Sequence, residues 1–377
     1  MTVRRLVLLG GGHAHVEVMR RFARRPVAGV EGVLVTPAPR HLYSGMVPSV
    51  IRGTHGPDDP SVDLVALARG AGMRLVLASA TRVDAAARRV TLDDGSALAF
   101  DLCSLDVGAA AAGLAETPGA AAHAHALRPI AGVHALLSAL GRLAAEGPVT
   151  ACVIGGGAAG VEVALALEAA LGRGGRRPAV ALVERGAELL PTHSARARRL
   201  ALRALAGRGV AVHSGAAVAA VDADAVRLVG GRVVPSACTV WVAGAAAPAV
   251  VADSPLPHDA AGFLRVDATL RAADGSPVWG AGDCVALDAA PWVPKAGVYA
   301  VRQGPVLADN LRAALDGTRP RPYRPQRAAL ALLATGDRRA VLAWRGVAAE
   351  GAWAYRLKEW IDLRWLRLYG AGRPPTV

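Results

Sequence analysis

The chain contains one arrangement twice, and that duplication limits what it can fold into. "LVLLGGGHAHVEV" (6–18) and "ACVIGGGAAGVEV" (151–163) each lead a short apolar run through a glycine turn into a helical pattern. A short apolar run bounded by a turn reads as a buried strand, and glycine lets the backbone turn tightly into the next helix. The same series follows both copies. The first has a helix to about Arg25, a strand in "GVLVTP" and an alternating stretch ending in "DLCSLDVGA". The second has a helix to Leu171, a strand in "AVALVERG" and an alternating stretch ending in "ACTVWVAGA". Each alternating stretch holds a tight turn, Asp94-Gly95 and Gly230-Gly231, and closes on an apolar strand and a glycine, Gly108 and Gly244. Two parallel α/β units, each with an antiparallel flap, are expected.

The turns themselves carry chemistry. The second copy is a complete G-x-G-x-x-G, with Gly155, Gly157 and Gly160. In that pattern glycine lets the backbone approach a pyrophosphate, and the helix start offers unpaired N–H groups and a positive dipole end. An acidic residue closing the next strand binds the adenosine ribose, and Glu184 holds that place. A carboxylate there accepts from the 2′-OH and repels a 2′-phosphate, so NADH is favoured over NADPH. The first copy departs from the pattern. Gly10 and Gly12 are kept, His15 replaces the third glycine, and Thr36 stands where the acid should be. A side chain at the third position costs about 1–3 kcal/mol unless the helix moves outward. His13, Ala14 and His15 start the helix, and both imidazoles are expected to be neutral hydrogen-bonders or spacers near the pyrophosphate. The fold class is thus α/β, with two Rossmann-like dinucleotide-binding domains and a C-terminal α+β or helical segment.

Composition removes other functions. The formal net charge is +13, but 41 of the 43 basic residues are arginine and no basic stretch with interleaved aromatics precedes the C-terminal region. Nucleic acid is not expected as a partner. Cys103, Cys152, Cys238 and Cys284 form no C-x-x-C and no metal cluster. His123 and His125 lack an evident third ligand, so no metal is expected. No run of apolar residues is long enough to span a bilayer, and the N-terminus enters a strand directly. A cytoplasmic chain is expected.

Two such units followed by "VWGAGDCVAL" (278–287) resemble the two-dinucleotide-domain flavoproteins, the broad family of glutathione reductase and type II NADH dehydrogenase. "GGGHAHVEV", "LYSGMVP" (42–48), "PKAGVYAVRQGPVLADNL" (294–311) and "YRPQR" (323–327) look more closely like the flavoprotein domain found fused to selenide, water dikinase. The resemblance implies FAD on the first unit and NAD(P)H on the second. It implies that Asp283, after Gly282, bonds the FAD ribityl chain. It also implies that a helix starting near Ala296-Gly297 faces flavin N1 and O2, where its positive end stabilises the reduced flavin. Gly10, Gly12, His13, Ala14, His15, Thr36, Gly108, Gly282, Asp283, Ala296 and Gly297 are the expected FAD-side residues. Gly155, Gly157, Gly160, Glu184 and Gly244 are the expected NAD-side residues.

Two residues are candidates for catalysis. Glu162, just after the second fingerprint, matches an acid that relatives keep near the nicotinamide–flavin contact; it could orient groups there or simply favour the helix start. Lys295 stands ahead of the flavin-facing helix in a chain that otherwise uses arginine, and its ammonium is expected to hold charge at N1/O2. The redox cysteine pair of disulfide reductases has no counterpart in "PRHLYSGMVPSVI", which argues against disulfide reduction by that route. Tyr43 or Met46 in that stretch could pack on the flavin or only on the loop. The two glutamines that line the quinone site of type II enzymes fall by spacing on Val298 and Arg302, with Gln303 adjacent.

The expected division is 1–122 and 249–318 for the two parts of the FAD-binding domain, 123–248 for the NAD(P)H-binding domain, and 319–377 for a C-terminal segment. In that segment Trp353, Leu357, Trp360, Ile361, Trp365 and Leu368 follow helical spacing. Such a helix suits packing on the flavin domain, a homodimer contact, or peripheral contact with the inner face of the membrane. The expected function is an FAD-dependent NAD(P)H oxidoreductase that passes hydride from NADH to FAD and electrons on to an acceptor, a quinone first. The alternative is a non-catalytic redox sensor or a partner module linked to selenium metabolism.

Overall fold

A computed structural model describes residues 3–130, 132–146, 149–175 and 178–370. Strand β1 (Arg4–Leu9) runs through the first glycine turn into helix α1 (His13–Arg24), and β2 (Val30–Thr36) follows. A short helix α2 (Val47–Arg52), with Pro48 in its first turn, precedes β3 (Met73–Leu77) and β4 (Leu102–Leu105). Strand β5 (Ala124–Ala126) lies ahead of the second turn, which joins β6 (Thr150–Ile154) to helix α3 (Ala158–Leu171). Strands β7 (Ala179–Val183), β8 (Ala211–His213), β9 (Cys238–Trp241) and β10 (Val278–Gly280) come next, then helices α4 (Gly297–Asp316) and α5 (Ala352–Arg367).

The two large sheets are parallel and share one plan, β10-β4-β1-β2-β3 and β5-β9-β6-β7-β8. Their central strands are covered on both faces, which is why they read as continuous apolar runs: Leu6, Val7, Leu8 and Leu9 have no exposed surface. Each fifth strand comes from outside its own repeat. The first sheet recruits β10 from beyond the second unit, and the second recruits β5 from the segment before it. The chain thus crosses between the units twice, and both glycine turns open at the carboxyl ends of the parallel strands, where such sheets bind ligands.

Both flaps are three-stranded antiparallel sheets, Ala80–Asp84, Arg89–Leu92 and Ala97–Ala99 in the first unit, Val218–Val221, Ala225–Leu228 and Val233–Pro235 in the second. The C-terminal segment is a third such sheet, Ala331–Ala334, Ala340–Trp344 and Val347–Gly351, followed by α5. Leu333 and Val341 of that sheet pack into the core of the second unit, whereas Trp365 and Leu366 of α5 pack into the core of the first. The segment therefore straddles the two units.

Helix α5 buries only part of its apolar stripe. Trp353, Trp360 and Leu368 are 52%, 57% and 51% exposed, so they do not form its buried face. The buried residues are Ala354, Tyr355, Asp362, Trp365 and Leu366, with Lys358 turned inward beside Asp362. A paired Lys358 and Asp362 take inner positions beside the apolar ones. Residues 371–377 of the expected C-terminal segment lie outside the described residues.

Candidate functional site

The two glycine turns differ in how helix meets strand. At the second, a Cβ on Gly160 would stand 1.7 Å from the Gly155 carbonyl oxygen, so α3 lies hard against its turn. At the first, His15 occupies the equivalent place and is fully buried. Its Nδ1 is 2.6 Å from the Gly10 carbonyl oxygen and its Nε2 is 2.9 Å from Ser104 Oγ on β4. The imidazole is a wedge between helix and strand, bonded at both ends. Burial pushes its pKa down to about 4, so it is neutral at pH 7.

The gap opened by His15 exposes the first turn of α1, and Asp106 fills it. Its carboxylate accepts from the N–H groups of Ala14 (2.7 Å) and His15 (3.0 Å). In the second unit the residue after the matching strand is Val242, whose methyl group would lie 3.4 Å from a Cβ on Gly160. His15 with Asp106 thus replaces Gly160 with Val242, a coupled exchange that the sequence reading missed. Burial pushes the Asp106 carboxyl up to about 7. The N–H groups of Gly11, Gly12 and His13 keep no acceptor among the described residues. The His13 ring packs on His41, Tyr43 and Trp365, while its N–H stays at the turn.

Gly10 (φ +86°) needs its positive φ, because a Cβ there would stand 2.4 Å from the Asp106 carbonyl oxygen. Open space surrounds Gly157 in the second turn and Gly108 beyond β4, whereas in the first turn a Cβ on Gly11 would meet Leu64 and one on Gly12 the Asp106 carboxylate. Gly244 (φ +46°) ends β9 as Gly108 ends β4. Glu184 follows β7 and accepts from Gly156 N and Gly186 N, each at 2.6 Å, which draws its carboxylate onto the fingerprint turn. Thr36 is buried at the end of β2 and donates to the Ala38 carbonyl.

Asp283 and Gly282 line an open cleft of about 260 Å³ beside Phe263, Lys295 and Gln303. Arg128, from the segment between the units, pairs with Asp283 at 2.9 Å. Burial raises the Asp283 pKa, while Arg128 and Lys295 oppose the rise. Ala296 caps α4 and Gly297 begins it. Lys295 departs from its expected role. Its ammonium donates to the Val285 carbonyl and lies 3.8 Å from the centre of the Phe263 ring, so it is committed to the cleft wall rather than free at the helix end. Gln303 holds Gly282 N at 2.6 Å.

Near the N-terminus of α4 is a cage of rings. Trp365 stacks on Tyr43 at 4.4 Å, and His13 lies 4.5 Å from His41 and 5.3 Å from Trp365. A Cβ on Gly297 would be 3.2 Å from Ser44 Oγ and 3.8 Å from His13 Nε2. His13 Nε2, His41 Nε2 and Trp365 Nε1 are buried without a partner. Burial holds both imidazoles neutral, with His41 pushed down to about 4. Three orphaned ring nitrogens beside a helix start, the unpaired N–H groups of Gly11 to His13 and the Asp283 cleft together fit a flavin dinucleotide.

Behind that cage lies a second cleft, between α2, α3 and α5. Glu162 points into it, accepting from Ala334 N at 2.8 Å and standing 4.0 Å from Lys358 Nζ. It therefore faces the C-terminal segment. Lys358 donates to Asp362 (3.0 Å) and to the Gly45 carbonyl (2.7 Å). Burial raises the pKa of both carboxyls against the pull of Lys358, and Asp362 and Glu162 raise that of Lys358 against its own burial. Tyr43 of the ring cage bonds Asp362, so the charged trio adjoins the cage. Lys358, Asp362, Arg128 and Trp365 were not among the expected site residues. The one hint to Lys358 was its rarity as a lysine.

With this geometry in view, the likeness to known proteins is direct. The model of the pyridine nucleotide-disulphide oxidoreductase family matches residues 4–308. The chain is 27% identical over 391 residues to the demethylphylloquinone reductase of Synechocystis sp., covering 96% of this chain and 95% of that one. It is 30% identical over 301 residues to an NADH dehydrogenase-like protein of Mycobacterium tuberculosis, covering 75% and 73%. Among solved structures, the sulfide:quinone oxidoreductase of Aquifex aeolicus has a TM-score of 0.79 at 20% identity, covering 98% of this chain and 93% of that one. NDH2 of Plasmodium falciparum in complex with NADH has a TM-score of 0.78 at 13% identity over 100% of both chains. These structures share the fold. The chain belongs to the pyridine nucleotide-disulphide oxidoreductase family and is an oxidoreductase of FAD and NAD(P)H.

Proposed function

We propose that this pyridine nucleotide-disulphide oxidoreductase takes hydride from NADH on its second unit and delivers the electrons, by way of FAD on its first, to a quinone that meets the flavin on the side of the Glu162–Lys358–Asp362 trio. The overall change is NADH + H⁺ + quinone → NAD⁺ + quinol. The observation that carries this reading is the buried Glu162–Lys358–Asp362 trio, which adjoins the ring cage at the start of α4 through Tyr43 and Asp362. Reducing a quinone adds two electrons and two protons. A buried cluster with raised carboxyl pKa values and a bonded ammonium can hold and release a proton beside the acceptor. The relatives named for quinone and NADH chemistry support the same choice.

Each unit has a stated task in this reading. On the second, the N–H groups at the start of α3 receive the pyrophosphate of NADH, and Glu184 turns from Gly156 to the adenosine ribose. On the first, Gly11 to His13 offer N–H groups to the FAD diphosphate, Asp283 with Arg128 receives the ribityl hydroxyls, and α4 directs its positive end at the ring. The bound flavin supplies the change from two-electron hydride uptake to electron donation. The chain's own groups bind, orient and exclude water. The FAD-binding domain is 1–122 with 249–318, the NAD(P)H-binding domain 123–248, and 319–377 closes the acceptor side.

No helix among the described residues is long and apolar enough to cross a membrane. Exposed Trp353 and Trp360, with Arg364 5.4 Å over the Trp360 ring, suit shallow contact with a membrane surface that stores the quinone.

The test is stepwise. NADH should bleach the bound flavin under anaerobic conditions, and a quinone should restore the colour. Glu162→Gln should leave the bleaching and slow the restoration. If no quinone restores the colour while oxygen or ferricyanide does, the acceptor is not a quinone.

A further inference from the structure

The first unit buries a carboxyl where the second has an apolar side chain. Asp106 follows β4 and is 3% exposed, and Val242 takes its place in the second unit. Its Oδ2 accepts from Ala14 N at 2.7 Å and from His15 N at 3.0 Å, so the carboxyl sits on the start of α1. The same group fills the space beside two glycines. A Cβ on Gly12 would stand 2.5 Å from it, and a Cβ on Gly282 would stand 2.5 Å from its Oδ1. Oδ1 itself accepts from no donor among the described residues. The titratable and charged neighbours do not offset a negative charge here. His15 of α1 is neutral and its ring bonds Gly10 and Ser104. Asp283, after β10, is a second carboxyl, and Arg128 is already paired with it. The buried Cys284 thiol donates to the Leu105 and Ala281 carbonyls. On the α4 side Gly282 meets Ala300 and Gln303, both uncharged.

We propose that FAD binding puts a proton on Asp106, so that the first unit holds its flavin less firmly as the solution turns alkaline. This rests on FAD occupying the first unit. The diphosphate and the carboxylate are both anions, and one helix start serves both, with Gly11 to His13 for the first and Ala14 and His15 for the second. Successive N–H groups of a helix start lie within one turn, about 5 Å. Like charges that close repel strongly in a site shielded from water, and the carboxyl is the partner that can lose its charge. The change is Asp106 carboxylate + H⁺ + FAD → Asp106 carboxylic acid with FAD bound. The proton comes from water and goes to Oδ1, and no electron moves. Oδ2 still accepts both bonds from α1. Burial already brings the carboxyl up to about 7, so the coupling falls in an accessible range. Below that value the free protein already carries the proton and FAD affinity is level. Above it each FAD must bring a proton along, and affinity falls with rising pH.

The experiment titrates FAD into the flavin-stripped protein at pH 6 and at pH 8.5, a range in which FAD itself does not titrate, and follows flavin fluorescence. The wild-type Kd should rise about tenfold between the two. Asp106→Asn, uncharged throughout, should bind at pH 8.5 as tightly as the wild type does at pH 6 and show no change with pH. A cooperative melting transition checks that the variant is folded. A second measurement needs no variant. In weakly buffered solution at pH 8 with an indicator dye, FAD binding to the wild type should take up about one half to one proton per flavin. If the wild type binds FAD equally well at both pH values, or takes up no proton, the inference is overturned while FAD binding stands. If Asp106→Asn keeps the wild-type pH dependence, another group titrates and the inference is overturned as well. If the protein binds FAD at neither pH, the FAD reading and the inference fall together.

Discussion

Restoring the glycine fingerprint of the first unit should damage the protein. His15→Gly recreates the pattern that the second unit uses, yet in the first unit the helix is built around the imidazole. His15 is fully buried and bonded to Gly10 and Ser104, at 2.6 and 2.9 Å. Its removal leaves the Ser104 hydroxyl and the Gly10 carbonyl without that partner, at about 1–3 kcal/mol for each orphaned group. It also puts glycine in a helix, at about 1 kcal/mol, and opens a void. The sum, with partial relaxation, is about 3–5 kcal/mol. Urea unfolding of the flavin-free protein measures it. The pH dependence gives a second signature. The unfolded chain protonates His15 near 6.5 and the folded chain only near 4, so between those values the unfolded state binds more protons. Stability from the neutral imidazole is complete above pH 6.5 and is lost as pH falls towards 4, by about 3 kcal/mol. The deficit of His15→Gly should therefore be largest at pH 7 and shrink towards pH 4.5. A deficit below about 1 kcal/mol at pH 7, or one that does not change with pH, would refute the wedge.

Other sites give sharper failures. Gly160→Ala puts a methyl group 1.7 Å from the Gly155 carbonyl, so α3 must move and NADH binding should fall at least tenfold by fluorescence titration, with FAD retained. Arg128→Ala removes the partner of Asp283, and dialysis should then strip FAD about tenfold more readily. Lys358→Met leaves Glu162 and Asp362 buried without their cation, so the C-terminal segment should loosen by about 3–5 kcal/mol in hydrogen exchange, and quinone turnover should fall with it.

What was legible in the chain was local. The glycine turns, the apolar strands behind them, the hairpins at Asp94-Gly95 and Gly230-Gly231 and the start of α4 each depend on a few adjacent residues, and each stands where the sequence put it. What was not legible is equally specific. Glu162 sits on a helix that the pattern identified, but its direction depends on Lys358 and Ala334, nearly two hundred residues away. Lys295 precedes α4 as expected, but Val285 and Phe263 claim its ammonium. On α5, apolar spacing marks Trp353 and Trp360 but not the pair Lys358–Asp362, which can be buried because its charges meet.

By itself the sequence determined that this protein has two parallel α/β units with dinucleotide turns, because period and glycine placement act within one strand–turn–helix and need no partner. Tertiary structure alone decided how His15 is tolerated, since Ser104 and Asp106 on a strand some ninety residues later supply its bond and fill its gap. It also decided where an acceptor could meet the flavin side, since the Glu162–Lys358–Asp362 trio exists only where α3 and α5, from distant parts of the chain, close on one another. Buried polar groups must be satisfied, and their partners are chosen by proximity in space, which a linear pattern does not record.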